Sequence, residues 1–186
     1  AGTGSYGPGG VDAEDVKVRT RMNSRSLVNY TLVIAEQSAS GAILERQSTG
    51  EESVAPAQDG AFDGTEGRRY YSGVVEAVAG ENAHIQYGAL QNLSEDTYNY
   101  QVKRGHAGVY GQVNWIDGNI GTRLTKSSVE TRLLGDGSES KIVGAFFGHE
   151  DQHFDIDARV WHNAENTTAD LVTRGVIDDV ARSVYE

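Results

Sequence analysis

Short runs of alternating apolar and polar residues dominate the chain, at 27–35, 42–46, 70–78, 84–90, 98–103, 112–117, 141–147, 154–161 and 170–177. Ala83-His84-Ile85-Gln86-Tyr87 and Ile156-Asp157-Ala158-Arg159-Val160-Trp161 carry the two-residue period most clearly. That period sends successive side chains to opposite faces of a strand. Gly, Asn, Asp or Ser separates the runs, and proline stands only at positions 8 and 56, outside all of them. No strand therefore loses a ladder N–H to proline. No convincing helical stripe runs through the sequence, although residues 173–185 can be forced into one. The pattern predicts an all-β domain.

The runs repeat. A turn-then-strand unit begins at Gly80, Gly108, Gly137 and Asn166, and its central apolar residues Ile85, Val113, Ile142 and Leu171 are spaced by 28, 29 and 29. A second set, Val102, Thr131 and Val160, steps by 29 each time. Two interleaved ladders with one shared period predict coils of about 29 residues, each giving a strand to two faces, stacked roughly 4.8 Å apart. Each coil can hide its inward side chains only against its neighbours. A parallel β-helix fits better than a sandwich, whose turn signals recur every 8–12 residues or so.

Two segments fall outside this pattern. Residues 1–15 are rich in glycine, with almost nothing apolar, and read as a flexible lead-in. Residues 48–68 mix acids with glycine and proline and read as a long surface loop. The β-helix core is thus expected over 16–186. Ser183-Val184-Tyr185-Glu186 reads as the start of a further strand without a polar terminator, so the core is expected to be part of a longer chain or to be covered by a partner.

Composition narrows the function. Among 186 residues, 27 acids face 16 bases, a formal charge of −11. Nucleic acid or an anionic membrane needs a basic footprint, so neither is an expected partner. Cysteine is absent, which removes thiolate metal sites, Cys nucleophiles and disulfides from this segment. Only Lys17, Lys103, Lys126 and Lys141 are lysines among the bases. An acid-rich, lysine-poor chain stays hydrated in concentrated salt, and a salt-adapted, cytoplasmic setting is expected.

The candidate chemistry is sparse. There is no phosphate-binding G-x-x-x-x-G-K-[ST] or dinucleotide fingerprint, and no Gly-x-Ser-x-Gly elbow. Gly135-Asp136-Gly137-Ser138 is read as a turn. The densest polar constellation is His149-Glu150-Asp151-Gln152-His153 with Asp155, Asp157 and His162. Imidazole with carboxylate can hold zinc or iron, so a metal-binding module using His149, His153 and His162 is one alternative. Against it, 148–152 reads as a turn, with His153, Asp155 and Asp157 on one strand face and Phe154 and Ile156 on the other. A carbohydrate-active enzyme is a second alternative. It would use Asp155/Asp157 or Asp178/Asp179 as its acid pair, with Trp115, Trp161, Tyr70, Tyr71 and Tyr87 as stacking aromatics. The isolated His84 and His106 read as structural or surface groups.

A further set of words carries a resemblance: Arg21-Met-Asn23-Ser24-Arg25, Leu90-Gln91-Asn92-Leu93, Tyr98-Asn99-Tyr100-Gln-Val-Lys103-Arg104 and Gly121-Thr-Arg-Leu-Thr-Lys126. With them go Leu133-Leu134-Gly135-Asp136-Gly137, Asp151-Gln152-His153-Phe-Asp155, His162-Asn-Ala-Glu-Asn-Thr-Thr168 and Arg174-Gly175-Val-Ile-Asp-Asp-Val-Ala-Arg182. In this order, from about residue 16 to the end, they resemble the core of the SufB/SufD family. The resemblance implies a right-handed parallel β-helix and a non-enzymatic, scaffold role in the SUF machinery for iron–sulfur cluster assembly. Its implied partners are a SufB-like homologue and a SufC-like ATPase, with a homodimer possible. SufB-like members carry a cysteine where Glu45-Arg46-Gln47 stands, and Gln-Asn-Trp where this chain has Gln91-Asn92-Leu93. Both departures place the resemblance closer to SufD. Arg21, Asn23, Gln91 and Lys103 match polar positions lining the sulfur path of SufB-like relatives, and without the cysteine they read as structural polar groups of the coils. No catalytic, cofactor-binding or metal-ligating residue is assigned. The clusters are handled by the complex and ATP by SufC.

Overall fold

The computed structural model describes residues 16–22, 28–48 and 69–186, with side chains from Tyr30 to Gln47 and from Tyr70 onward. The expected lead-in at 1–15, Asn23 and the expected loop beyond Ser48 lie outside the described residues.

Twelve strands and no helix make up the described residues: β1 (Val16–Met22), β2 (Val28–Ala35), β3 (Ser40–Ser48), β4 (Arg69–Ala79), β5 (His84–Asn92), β6 (Thr97–Ala107), β7 (Gln112–Asn119), β8 (Leu124–Leu133), β9 (Glu139–Gly148), β10 (His153–His162), β11 (Thr168–Ile177) and β12 (Arg182–Tyr185). They alternate between two sheets, ordered β1-β2-β4-β6-β8-β10-β12 and β11-β9-β7-β5-β3. Every pairing is parallel except β1 with β2. This is the stacked parallel β-helix that the period predicts, with an antiparallel strand against β2 that the period does not contain. Residues 173–185, which can be drawn as a helical stripe, form the end of β11, a turn and β12. No helix among the described residues is long and apolar enough to cross a membrane.

The register corrects the spacing in two places. Ile85 lies beside Val113, and Ile142 beside Leu171, as expected. Between them, however, Val113 faces Ser140, while Ile142 faces Trp115. The cause is a shifted turn frame. Gly111 N bonds Gly108 O and Ser138 N bonds Gly135 O, so the equivalent of Gly108 is Gly135, two residues before Gly137. A slip of two keeps a side chain on the same face, so hydrophobic matching along the sequence cannot detect it. In the other sheet, Val102 faces Ser128, and Gly105 is the true neighbour of Thr131. That slip is odd, and it moves Val102 to the outer face, whereas Thr131 is fully buried. Thr131 and Val160 do pair.

The corners repeat as closely as the strands. Ser38, Asn82, Tyr110, Gly137 and Asn166 all adopt positive φ, one in each turn leading from the seven-stranded to the five-stranded sheet. Their amides form a column of bonds along the stack: Ser38 N to Glu81 O, Asn82 N to Val109 O, Tyr110 N to Asp136 O and Gly137 N to Glu165 O. The left-handed conformation aims each turn's N–H at the coil above instead of at its own chain, and Asn and Gly tolerate it best.

Inside, the core is zoned along the strands. Ala35, Ala79, Ala107 and Leu133 line the end near these corners, with Ala39, Ala83, Ile85 and Val113 opposite. Small side chains there let the two sheets close on each other. In the middle, Tyr87 and Trp115 occupy neighbouring coils with ring centroids 5.5 Å apart and planes tilted by 54°. Burying each such side chain is worth about 1.5–3 kcal/mol or more. Towards the far corners the interior becomes polar.

Candidate functional site

The polar zone is a chain of hydrogen bonds built from inward positions on five strands. It starts at Glu45 of β3, which accepts from the Tyr87 hydroxyl of β5 and, at 2.8 Å, from Gln47 Nε2. Gln101 Nε2 of β6 donates to Gln47 Oε1 at 2.5 Å. Lys103 Nζ then bridges Gln101 Oε1 at 2.9 Å and Asp117 Oδ1 of β7 at 2.6 Å. The second carboxylate oxygen of Asp117 accepts from Ser127 Oγ at 3.1 Å and Asn119 Nδ2 at 3.2 Å. Lys103 is 1% exposed and Asp117 4%, so the ion pair is shut away from water. Isolated charges at this depth cost several kcal/mol each, and the neighbouring amide and hydroxyl groups are what make the pair tolerable. The remaining space, lined by Glu45, Gln47, Gln101 and Lys103 among others, is a cavity of about 10 Å³. That is room for about one water molecule.

A second group secures the corner at 120–123. Gln91 Oε1 accepts from Leu93 N at 3.0 Å and Gly121 N at 3.1 Å, while its Nε2 donates to Thr125 Oγ1 at 3.0 Å. From the following coil, Gln152 Nε2 donates to Thr122 O at 2.8 Å, and its Oε1 accepts from His149 N at 3.0 Å. One glutamine from each side clamps the same turn. Gln91 and Lys103 each bond to groups of neighbouring coils. The side chain of Arg21 and all of Asn23 lie outside the described residues. Sequence reasoning did not single out Glu45–Tyr87 or Asp117 as members of a network. Their signal was there, as polar residues at inward positions of the two-residue period.

Burial together with the Glu45 carboxylate pushes the Tyr87 hydroxyl far above the ordinary tyrosine range. The folded state therefore keeps a proton that the unfolded chain gives up near pH 10, so the stability gained is complete below that pH and is lost as pH rises through and beyond it. Tyr87→Phe is expected to lose less stability than the parent between about pH 9 and 11, read as the shift of the urea midpoint. An identical alkaline loss in both proteins would contradict the coupling.

The other candidate groups are dispersed. His153 and His162 sit at opposite ends of β10, and at about 3.3 Å per residue that strand holds them far apart. His162 Nδ1 is instead 2.6 Å from Thr167 Oγ1, while His149 Nε2 lies 3.7 Å from Glu95 Oε1. The three histidines do not converge on one ion. The faces of β10 are as predicted, with Phe154 and Ile156 buried. The acid pairs are engaged: Asp155 with Lys126 at 2.5 Å, Asp157 with Arg159 at 2.8 Å, and Asp179 Oδ2 with Glu150 N at 3.1 Å. Trp115 and Tyr87 are each 1% exposed, and Trp115 Nε1 donates to Thr131 Oγ1 at 2.9 Å. These two core aromatics cannot stack on a sugar, whereas Trp161 and Tyr70, also named for that role, are exposed.

Comparison with known proteins agrees with this architecture. Residues 18–186 match the family described as SUF system FeS cluster assembly, SufBD core domain. The chain is 29% identical over 167 residues to an iron-sulfur cluster assembly SufBD family protein of Staphylococcus saprophyticus, covering 89% of this chain and 33% of that protein. A protein of the same description from Mycobacterium tuberculosis is 33% identical over 115 residues, covering 62% of this chain and 14% of the relative. The chain thus spans a third or less of the length of these relatives. A family match over nearly the whole sequence, on a stacked parallel β-helix of the expected period, places this chain in the SufBD core domain family.

Proposed function

We propose that this chain forms the β-helix core of a SufD-like scaffold subunit, acting beside a SufB-like homologue and a SufC-like ATPase in iron–sulfur cluster assembly. The observation that carries this reading is the hydrogen-bonded network that begins at Glu45. At about the place where SufB-like relatives hold a cysteine, this chain has Glu45-Arg46-Gln47, and the Glu45 carboxylate is bonded to Tyr87 and Gln47 near a buried Lys103–Asp117 pair. A subunit with no thiol in this segment, and with an ion pair and its hydrogen bonds filling that part of the interior, contributes shape and contact surface in this reading, not sulfur chemistry. The stacked coils suit the task, because every strand but those at the sheet edges is hydrogen-bonded to a coil on either side. Cluster, sulfur and ATP are then handled by the partners, in the cytoplasm. The expected result is co-purification of the full-length protein with its SufB and SufC homologues, in concentrated KCl as well as in dilute buffer. Failure to associate in either condition would refute the scaffold reading.

A further inference from the structure

The corner between β7 and β8 is shorter than the corners on either side of it. Asn119 to Leu124 takes five steps, while the paired positions Gln91 to Tyr98 and Phe146 to His153 each take seven. A shorter turn thus lies between two longer ones. Among the described residues, Glu95 from one long turn meets His149 and Glu150 from the other, with one ligand atom of each within 4.8 Å of the others.

We propose that Glu95, His149 and Glu150 form a binding site for a first-row divalent cation of borderline character, such as Zn²⁺ or Fe²⁺. The 3.7 Å between His149 Nε2 and Glu95 Oε1 is too long for a hydrogen bond. It is close to the roughly 3.4 Å that separates two ligands of one tetrahedral ion with bonds of about 2.0–2.1 Å. The imidazole is half-buried, 6.0 Å from the Phe147 ring, and its backbone N–H is held by Gln152. Glu150 is positioned by Asp179, which accepts from its amide. Arg123, the cation on the intervening short turn, is engaged by Asp151. Neither Glu95 nor Glu150 pairs with a lysine or arginine among the described residues. One nitrogen and two carboxylates suit zinc or ferrous iron, whereas Mg²⁺ and Ca²⁺ prefer oxygen donors alone. Three protein ligands at a solvent-facing corner leave a coordination position open, so the ion would be exchangeable. This inference rests on the corner geometry and is independent of the scaffold reading.

Titration of the purified chain with Zn²⁺, and with Co²⁺ followed by its visible absorption, tests the site. One equivalent is expected to bind with nitrogen and oxygen ligation. Glu95→Gln, His149→Gln and Glu150→Gln should each weaken binding by about tenfold or more, while His153→Gln leaves it unchanged. All four positions lie at the surface, and an unchanged far-UV circular dichroism spectrum confirms the fold. Unaltered Zn²⁺ uptake in Glu95→Gln, equal weakening in His153→Gln, or displacement by equimolar Mg²⁺ would each overturn the assignment.

Discussion

Lys103→Ala is expected to destabilise the domain by about 3–5 kcal/mol, the usual penalty for leaving one charge of a buried pair without its partner. Asp117 would remain 4% exposed, held only by Ser127 and Asn119, and Gln101 would lose its donor. Urea denaturation reads the loss directly as a lower midpoint. Lys103→Met combined with Asp117→Leu removes both charges and keeps the volume filled, so the double variant should be more stable than either single one. If Lys103→Ala costs less than about 1 kcal/mol, water reaches Asp117 and the pair is not the sealed contact described.

The second large effect concerns a corner. A Cβ added at Gly135 would lie 2.1 Å from Val109 N and 2.4 Å from Gly108 C, both backbone atoms of the preceding coil. Nothing there can rotate away. Relief requires the coils to separate where Leu134 N and Gly135 N bond Ala107 O, and where Tyr110 N bonds Asp136 O. Gly135→Ala is therefore expected to cost more than about 4 kcal/mol, or to prevent folding at 37 °C. Gly88→Ala is the matched control. Its Cβ would meet Leu44 Cδ1 at 3.2 Å, a side-chain end that is 82% exposed and free to swing into solvent. Its expected cost is within about 0.5 kcal/mol. Equal thermal midpoints for the two variants would show that the coils are not in the tight stack described.

The charges on the outer faces follow the same stacking. Glu76, Arg104, Glu130 and Arg159 share one register position on four adjacent strands, alternating in sign. Opposite charges on neighbouring strands contribute a few tenths of a kcal/mol each, and like charges there would oppose the pairing. Lys126 and Asp155 show the same relation, and the carboxylate raises the pKa of that lysine. With so many acids in the chain, a register that brings bases beside them relieves repulsion that would otherwise weaken the stack.

Strand content, the two-sheet alternation and, apart from Val102, the inward faces were legible from the sequence, because a period of two is a local property and survives any arrangement of the coils. The approximate coil length was legible too, since each turn must present a left-handed residue and a small residue at recurring positions. Register was not. Val113 and Ile142 share a face and only one is the true neighbour of Ser140, and a two-residue change in a corner leaves no mark on the alternation. The interior network and the Glu95–His149–Glu150 cluster depend on that register, joining residues from different coils that no spacing in the sequence connects. Local side-chain alternation was thus written in the chain itself, while the partners of each buried polar group were decided only when the coils settled on one another, because hydrogen bonds and ion pairs require ångström proximity and hydrophobic pattern does not.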